Sequence, residues 1–248
     1  KKMKIVAIIS ARMTSSRLPG KSLMKICGDP ALQHMLKRVK NAKLINKIVV
    51  ATTTNNTDDC IEDLCNKMKV SCFRGSERDV LGRYYLAAKK HNANPIVRLT
   101  ADCPMIDPAL IDETIATFKK GKWEYVTNAH GYYPDGMDTE VLSFATLEKT
   151  HLRAKHPFAR ENVTSYIAGN LPKYGKGKFK THTIKRNGNF SHIRWTLDTI
   201  DDLKIIRKLV SRLPKNYSWM DALSVATQNP KLLGTKVIEK NEKKIRKN

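Results

Sequence analysis

Short apolar runs alternate with amphipathic ones through the first half of the chain, and few folds accommodate that rhythm. Residues 4–10 read as a buried strand, and residues 30–41 as a helix with Pro30 in its first turn. Residues 47–53 form a second strand. In 57–68, Ile61, Leu64, Cys65 and Met68 recur at helical spacing. A strand over 70–73, a helix over 80–91, a strand over 95–99, a helix over 108–119 and a short strand over 125–127 follow. This order predicts an α/β, Rossmann-like fold: a mostly parallel sheet with helices on both faces. Such sheets bind ligands beyond the carboxyl ends of their strands.

The rhythm changes after about residue 128. Residues 131–136 read as a loop, 138–144 as a strand, 145–154 and 158–168 as helices. A basic, glycine-containing loop from 173 leads to a strand over 180–186; a strand over 193–197 and a helix over 200–213 follow. A short helix near 219–227 precedes a basic tail at 236–248. No linker divides the chain. One domain is expected over 1–235, with a nucleotide-binding half at about 1–128 and an acceptor-side half at about 129–213.

The first strand runs straight into Ala11-Arg12-Met13-Thr14-Ser15-Ser16-Arg17-Leu18-Pro19-Gly20-Lys21. Three cations, three hydroxyls and a glycine at a strand's carboxyl end suit a polyphosphate, which needs hydrogen-bond donors and positive charge together. Gly20-Lys21-Ser22 imitates the end of a P-loop, but Ser15 stands where that motif begins with glycine, so this is not a Walker A loop. The bland alternative is a basic surface loop.

Arg12, Ser15, Arg17, Leu18, Pro19, Gly20 and Lys21 match in register the R-x-x-S-x-R-L-P-G-K signature of nucleotide-sugar pyrophosphorylases and cytidylyltransferases. The segments 48–53, 73–81, 97–104 and 194–199 narrow the match. Over residues 4–213 the chain resembles the spore coat polysaccharide biosynthesis protein F family, homologues of the CMP-KDO synthetases. The resemblance implies a nucleotide-diphospho-sugar transferase (GT-A-like) fold with a smaller acceptor and dimerisation subregion. It implies transfer of CMP from CTP to an acidic sugar, with Mg²⁺ and release of pyrophosphate, for surface glycans. It also implies a homodimer.

Carried over residue by residue, the resemblance makes Asp102 and Asp198 metal ligands, and has Arg12, Arg17 and Lys21 hold the phosphates beside Ala11 and Ser15. Asp102 alternatively caps the turn after its strand. Asp198 alternatively caps the following helix, as Thr199 or Asp201 also could, while Asp202 reads as structural. Arg74 and Ser76 fall in a stretch that contributes to the ribose and base site in the family; Ser76 with Asp79 reads equally as a helix cap. Tyr133, Asp135, Asp138, Glu140, Arg160 and Glu161 correspond to acceptor-side segments, or are plain surface loop. Asp29 and Ser10 depart from residues common in relatives, without touching the phosphate cations.

Charge is the compositional anomaly: 46 Lys and Arg against 23 Asp and Glu give +23. A basic surface, a pocket for acidic small molecules and a nucleic-acid interface all fit. Aromatic content is only 7%, with no base-stacking platform or zinc-finger spacing, which argues against nucleic acid. The five cysteines are odd in number and lack a CxxC, as expected of free thiols in a reducing cytoplasm. No apolar run reaches the ~18 residues of a membrane span. Small-molecule substrates are therefore the expected partners. A phosphonate or sugar-phosphate acceptor, a glycosyltransferase and a nucleic-acid-binding module are the rival readings.

Overall fold

A computed structural model describes residues 4–129, 131–169 and 177–234 of the chain. The first strand, β1 (Val6–Ser10), shows why the sheet lies inside. Val6 and Ile8 pack on one layer of helices, Ala7 and Ile9 on the other, and all four are fully buried. A parallel strand covered on both faces has to be apolar at every position.

After β1 come a small hairpin of β2 (Lys25–Ile26) and β3 (Asp29–Pro30), then α1 (Ala31–Val39). The hairpin was not foreseen from the sequence. Its two turn residues, Cys27 and Gly28, both have positive φ, as a tight two-residue hairpin requires. β4 (Lys47–Thr53), α2 (Asp59–Lys67), β5 (Ser71–Gly75), α3 (Val80–Lys90), β6 (Ile96–Thr100), α4 (Pro108–Lys120) and β7 (Tyr125–Thr127) complete the expected alternation. The sheet then adds β8 (Glu140–Leu142), antiparallel between β6 and β7, and β9 (Thr181–Thr183) beside β7. The strand order is β5-β4-β1-β6-β8-β7-β9, and among the described residues four of the six pairings are parallel. From β1 the chain builds outward through β4 and β5 on one side, then crosses to β6 on the other. The crevice between β1 and β6 is therefore a topological switch point, where open α/β sheets bind ligands.

α1, α2 and α4 cover one face through Leu32, Leu36, Ile61, Leu64, Ile111 and Ile115. On the other face lie α3, α5 (Phe144–Arg153), α6 (Pro157–Glu161) and α7 (Ser165–Ala168), with Tyr84, Leu147, Ala159 and Ile167 buried against the sheet. A third cluster around the fully buried Trp195 gathers α8 (Ile200–Val210) and α9 (Trp219–Gln228).

Two sequence expectations fail here. Residues 158–168 are two short helices, not one. The chain turns at Val163, whose φ is 42°, so that the Thr164 hydroxyl reaches Glu140 Oε1 at 2.7 Å. Residues 193–197 are extended but form no strand. Four of their N–H groups go to four different partners: Ile193 to Phe190 O, Arg194 to Leu233 O, Trp195 to Asp135 O and Leu197 to Asp102 O. Gly136 makes this possible, because a Cβ there would come within 2.8 Å of the Trp195 backbone. The start of the basic loop, at 173–176, and the tail at 236–248 lie outside the described residues.

Candidate active site

The loop after β1 is held from three directions. Gly20, at φ 74°, donates its N–H to Met13 O at 2.8 Å, and the Ser22 hydroxyl reaches Arg12 O at 3.2 Å. The third anchor is Asp58, which is fully buried. Its Oδ1 accepts the Met13 N–H at 2.8 Å, and its Oδ2 accepts Thr52 Oγ1, Thr53 Oγ1 and the Thr53 N–H. Burial would raise the Asp58 carboxyl, but these donors hold it below the usual carboxylate range.

So fixed, the loop walls a cleft of about 350 Å³ with Ala11, Arg12, Ser15, Arg17, Lys21 and, from elsewhere, Asp102, Glu161 and Asp198. The two aspartates lie nearly a hundred residues apart in sequence, and one backbone hydrogen bond joins their neighbourhoods: Leu197 N–H donates to Asp102 O at 2.7 Å. The Lys21 ammonium sits between them, 2.8 Å from Asp198 Oδ1 and 3.8 Å from Asp102 Oδ2.

Asp198 is only 5% exposed and faces three cations. Oδ1 takes Lys21, while Oδ2 takes Arg194 at 2.6 Å and Arg17 at 3.1 Å. Burial works to raise its pKa, and Lys21, Arg17 and Arg194 outweigh it, so the carboxyl stays below its ordinary range. It is not the helix cap. Thr199 caps α8 in a capping box with Asp202, whose side chain also accepts the Asp198 N–H.

Two further arginines, not singled out as site residues from the sequence, shape the cleft. Arg83 on α3 is 1% exposed. It donates to Ser76 O and Ser10 Oγ, leaves Nε unpaired and has no carboxylate partner among the described residues. Burial lowers its pKa, yet a guanidinium remains charged, so Arg83 brings to the cleft lining a positive charge without a direct ion pair. Arg98 on β6 lines the same cleft and a neighbouring one of about 440 Å³. It is ion-paired with Glu140, which also accepts from Tyr125 and Thr164. Burial pushes Glu140 up, but Arg98 and these donors bring it below the usual range. An arginine in an otherwise apolar strand, and another in an apolar helix, were the available signals.

The second cleft holds Asp102, Asp138, Glu140, Phe158, Asn162 and Thr164. Burial, reinforced by the charges of Asp135, Glu140 and Asp102, raises Asp138 to about 7.

The remaining expected site residues lie elsewhere. Arg74 does not reach the cleft lining; it ties Thr53 O and Asn55 O to Asp59 and Glu62 on α2. Ser76 spends its hydroxyl on the Asp79 N–H, and Asp79 itself caps α3. Tyr133 is buried edge-on against Trp219. Arg160 clamps Asp79 and the His151 carbonyl, joining α3 to α5 and α6. Asp135 pairs with Arg194, one layer behind Asp198. Glu161, expected on the acceptor side, lines the cleft of the first loop instead.

Every cation of that loop is neutralised from within: Arg12 by Glu77 at 3.7 Å, Arg17 and Lys21 by Asp198. A polyphosphate entering the cleft would compete for these cations and release the carboxylates. Among the described residues no group of three or more His, Cys, Asp or Glu could hold a metal alone. Two carboxylates completed by phosphate oxygens and water are, however, the donor set Mg²⁺ commonly takes, and Asp102 and Asp198 already share one cation.

The profile of the cytidylyltransferase family matches residues 6–239. The spore coat polysaccharide biosynthesis protein SpsF of Bacillus subtilis is 32% identical over 235 residues, covering 91% of this chain and 95% of that protein. A 3-deoxy-manno-octulosonate cytidylyltransferase of Geobacter sulfurreducens is 37% identical over 165 residues, 66% of this chain and 58% of its own length. The structure of a cytidylyltransferase from Leptospira borgpetersenii superposes with a TM-score of 0.88 at 36% identity, over 96% of this chain and 99% of that one.

Proposed function

The chain belongs to the cytidylyltransferase family, and we propose that it transfers CMP from CTP to an acidic sugar of the KDO or nonulosonate kind, releasing pyrophosphate. The relatives named for 3-deoxy-manno-octulosonate and for spore coat polysaccharide support this choice of acceptor and a role in surface glycans. The observation that carries the reading is the Lys21 ammonium held between Asp102 and Asp198 at the mouth of the phosphate loop. In this reading residues 1–235 act as one nucleotidyltransferase domain.

Arg12, Arg17 and Lys21 exchange their carboxylate partners for the β- and γ-phosphates. Charge grows on the departing pyrophosphate, so cations fixed there stabilise the transition state more than the ground state. Ala11 and Ser15 line the same wall and hold the nucleotide close to the loop backbone. Asp102 and Asp198, released by Lys21, would hold Mg²⁺, which when bound supplies electrophilic charge at the phosphates. Arg194 keeps Asp198 Oδ2 occupied, leaving Oδ1 as the oxygen offered to the cleft. The acceptor enters the second cleft, where Arg98 is the one guanidinium among the described lining residues and Asp102, Asp138 and Glu140 are the carboxylates. Its attacking oxygen meets the α-phosphorus, and no side chain needs to form a covalent intermediate.

The five free thiols suit a reducing cytoplasm, and no helix among the described residues is long and apolar enough to cross a membrane. Leu86 and Leu152, about half or more exposed on the packed helices α3 and α5, supply apolar surface for a homodimer. The test of function is pyrophosphate release with Mg²⁺ over a panel of ulosonic acids, phosphonates and sugar phosphates, each with CTP, UTP, GTP and ATP. Release with CTP and a ulosonic acid alone supports the proposal. Release with a phosphonate or a sugar phosphate instead moves the acceptor, and preference for another nucleotide rejects cytidylyl transfer.

A further inference from the structure

Eleven lysines gather at one end of the fold. β1, β4, β5, β6, β7 and β9 run the same way, so their starts and the ends of the helices between them share the edge opposite the active-site cleft. Contacts across that edge confirm the juxtaposition: Asn94 N–H donates to Lys4 O, Lys40 Nζ to Met68 O, and Glu124 N–H to Lys180 O.

Lysine occupies nearly every element terminus there. Lys40, Lys67, Lys89, Lys90, Lys119 and Lys120 end or follow α1 to α4. Lys4, Lys47, Lys69, Lys122 and Lys180 precede or open β1, β4, β5, β7 and β9. All but the half-buried Lys47 are exposed, and none forms an ion pair with a described carboxylate. Two carboxylates nearby are spent on backbone: Asp112 accepts the N–H groups of Lys43 and Leu44, and Glu124 that of Lys180. The field is felt at His91, whose pKa is lowered first by burial and then by Lys47, Lys90 and Lys4. A helix C-terminus favours a lysine through its dipole, but that explains neither the strand-start lysines nor the missing ion pairs.

We propose that this lysine-covered edge docks on an anionic phospholipid surface, leaving the active-site cleft open on the far side. The residue type decides between lipid and nucleic acid. The charges are lysines, point charges on flexible stems, whereas Arg38, two residues before Lys40, is buried on backbone carbonyls. Among the described residues the exposed tryptophan at the edge, Trp123, already stacks on His182 at 4.8 Å, so they offer no run of free rings for bases to stack on. Three of these lysines, Lys40, Lys47 and Lys69, together line one recess of about 320 Å³. The inference rests on charge placement alone and is independent of the proposed reaction.

The test is co-sedimentation of the full chain with vesicles of phosphatidylglycerol and phosphatidylcholine, against phosphatidylcholine alone, at about 0.15 M and about 0.5 M salt. Each lysine near an anionic surface is worth about fivefold in binding. The K40Q/K69Q/K89Q/K90Q variant, with unchanged melting temperature and pyrophosphate release, should lose at least about tenfold in vesicle affinity. Wild-type binding should need phosphatidylglycerol and vanish at high salt. Equal binding to phosphatidylcholine alone, full retention by the variant, or tighter binding to a random oligonucleotide than to anionic vesicles would each overturn the proposal. So would complete loss of binding on removing only residues 235–248.

Discussion

Replacing Asp58 with alanine tests how the phosphate loop is held. The carboxylate is fully buried and accepts four donors: the Met13 and Thr53 N–H groups at 2.8 and 3.1 Å, and the Thr52 and Thr53 hydroxyls at 2.8 and 2.6 Å. The hydroxyls can rotate towards other acceptors, but the two N–H groups cannot. Each buried donor left unsatisfied costs roughly 1–3 kcal/mol, so Asp58→Ala should lose about 2–5 kcal/mol in urea unfolding. The second effect is functional. Without the Met13 anchor, Arg12 and Ser15 lose their place, and a misplacement of about 1 Å can cost on the order of 10²-fold in rate. Pyrophosphate release should therefore show a raised KM for CTP and a reduced kcat at temperatures where the variant is still folded. Asp58→Asn keeps the volume but gives up one accepting atom, and should fall between wild type and alanine in both measurements. An Asp58→Ala protein within ~0.5 kcal/mol of wild type would refute the burial argument. Lost stability with an unchanged KM for CTP would show that Asp58 supports the end of β4 and not the loop.

Other perturbations separate chemistry from packing. Arg17→Ala, at a side chain 49% exposed, should reduce pyrophosphate release about 10²–10³-fold while moving unfolding by only ~0.5 kcal/mol; near-normal release would remove its phosphate role. Burial pushes the Asp79 carboxyl up, but Arg160 and the Gly82 N–H hold it below the usual range. A depressed folded pKa gives stability that is present above the unfolded value near ~4 and is lost as pH falls through the folded one. Asp79→Asn should therefore flatten the acid limb of the melting-temperature profile below about pH 4, and a variant profile parallel to wild type would contradict the clamp.

The sequence made the first half of the fold legible because buried parallel strands and amphipathic helices carry different periods. β1, β4 and β6 and the four helices α1 to α4 follow that signal closely. Pairing order was not legible, since nothing local tells β8 to enter antiparallel between β6 and β7. The segment 193–197 alternates like a strand because Ile193, Trp195 and Leu197 share a buried face, yet its backbone N–H groups are divided among four partners. The phosphate loop could be read because its cations are contiguous. The roles of Arg83 and Arg98 could not, because they depend on Ser10 and Glu140, far away in sequence; Arg194 meets Asp198 four residues on, but its other partner, Asp135, is equally remote. Arg74 misled for the converse reason. Its place in a nucleotide-site segment said nothing of Asp59 and Glu62, which take its guanidinium.

The most direct test of the site is the Mg²⁺ dependence of pyrophosphate release from CTP by wild type, Asp102→Asn, Asp198→Asn and the double variant. Both substitutions keep shape and remove charge from the two carboxylates that share Lys21. Each single variant should be folded, lose nearly all turnover and respond weakly to added Mg²⁺. The double variant should be little worse than either, because parts of one catalytic unit are strongly non-additive. Full turnover with a normal Mg²⁺ response in Asp198→Asn would leave Asp102 to hold the metal with phosphate and water alone. The same result in both single variants would contradict the assignment of this crevice.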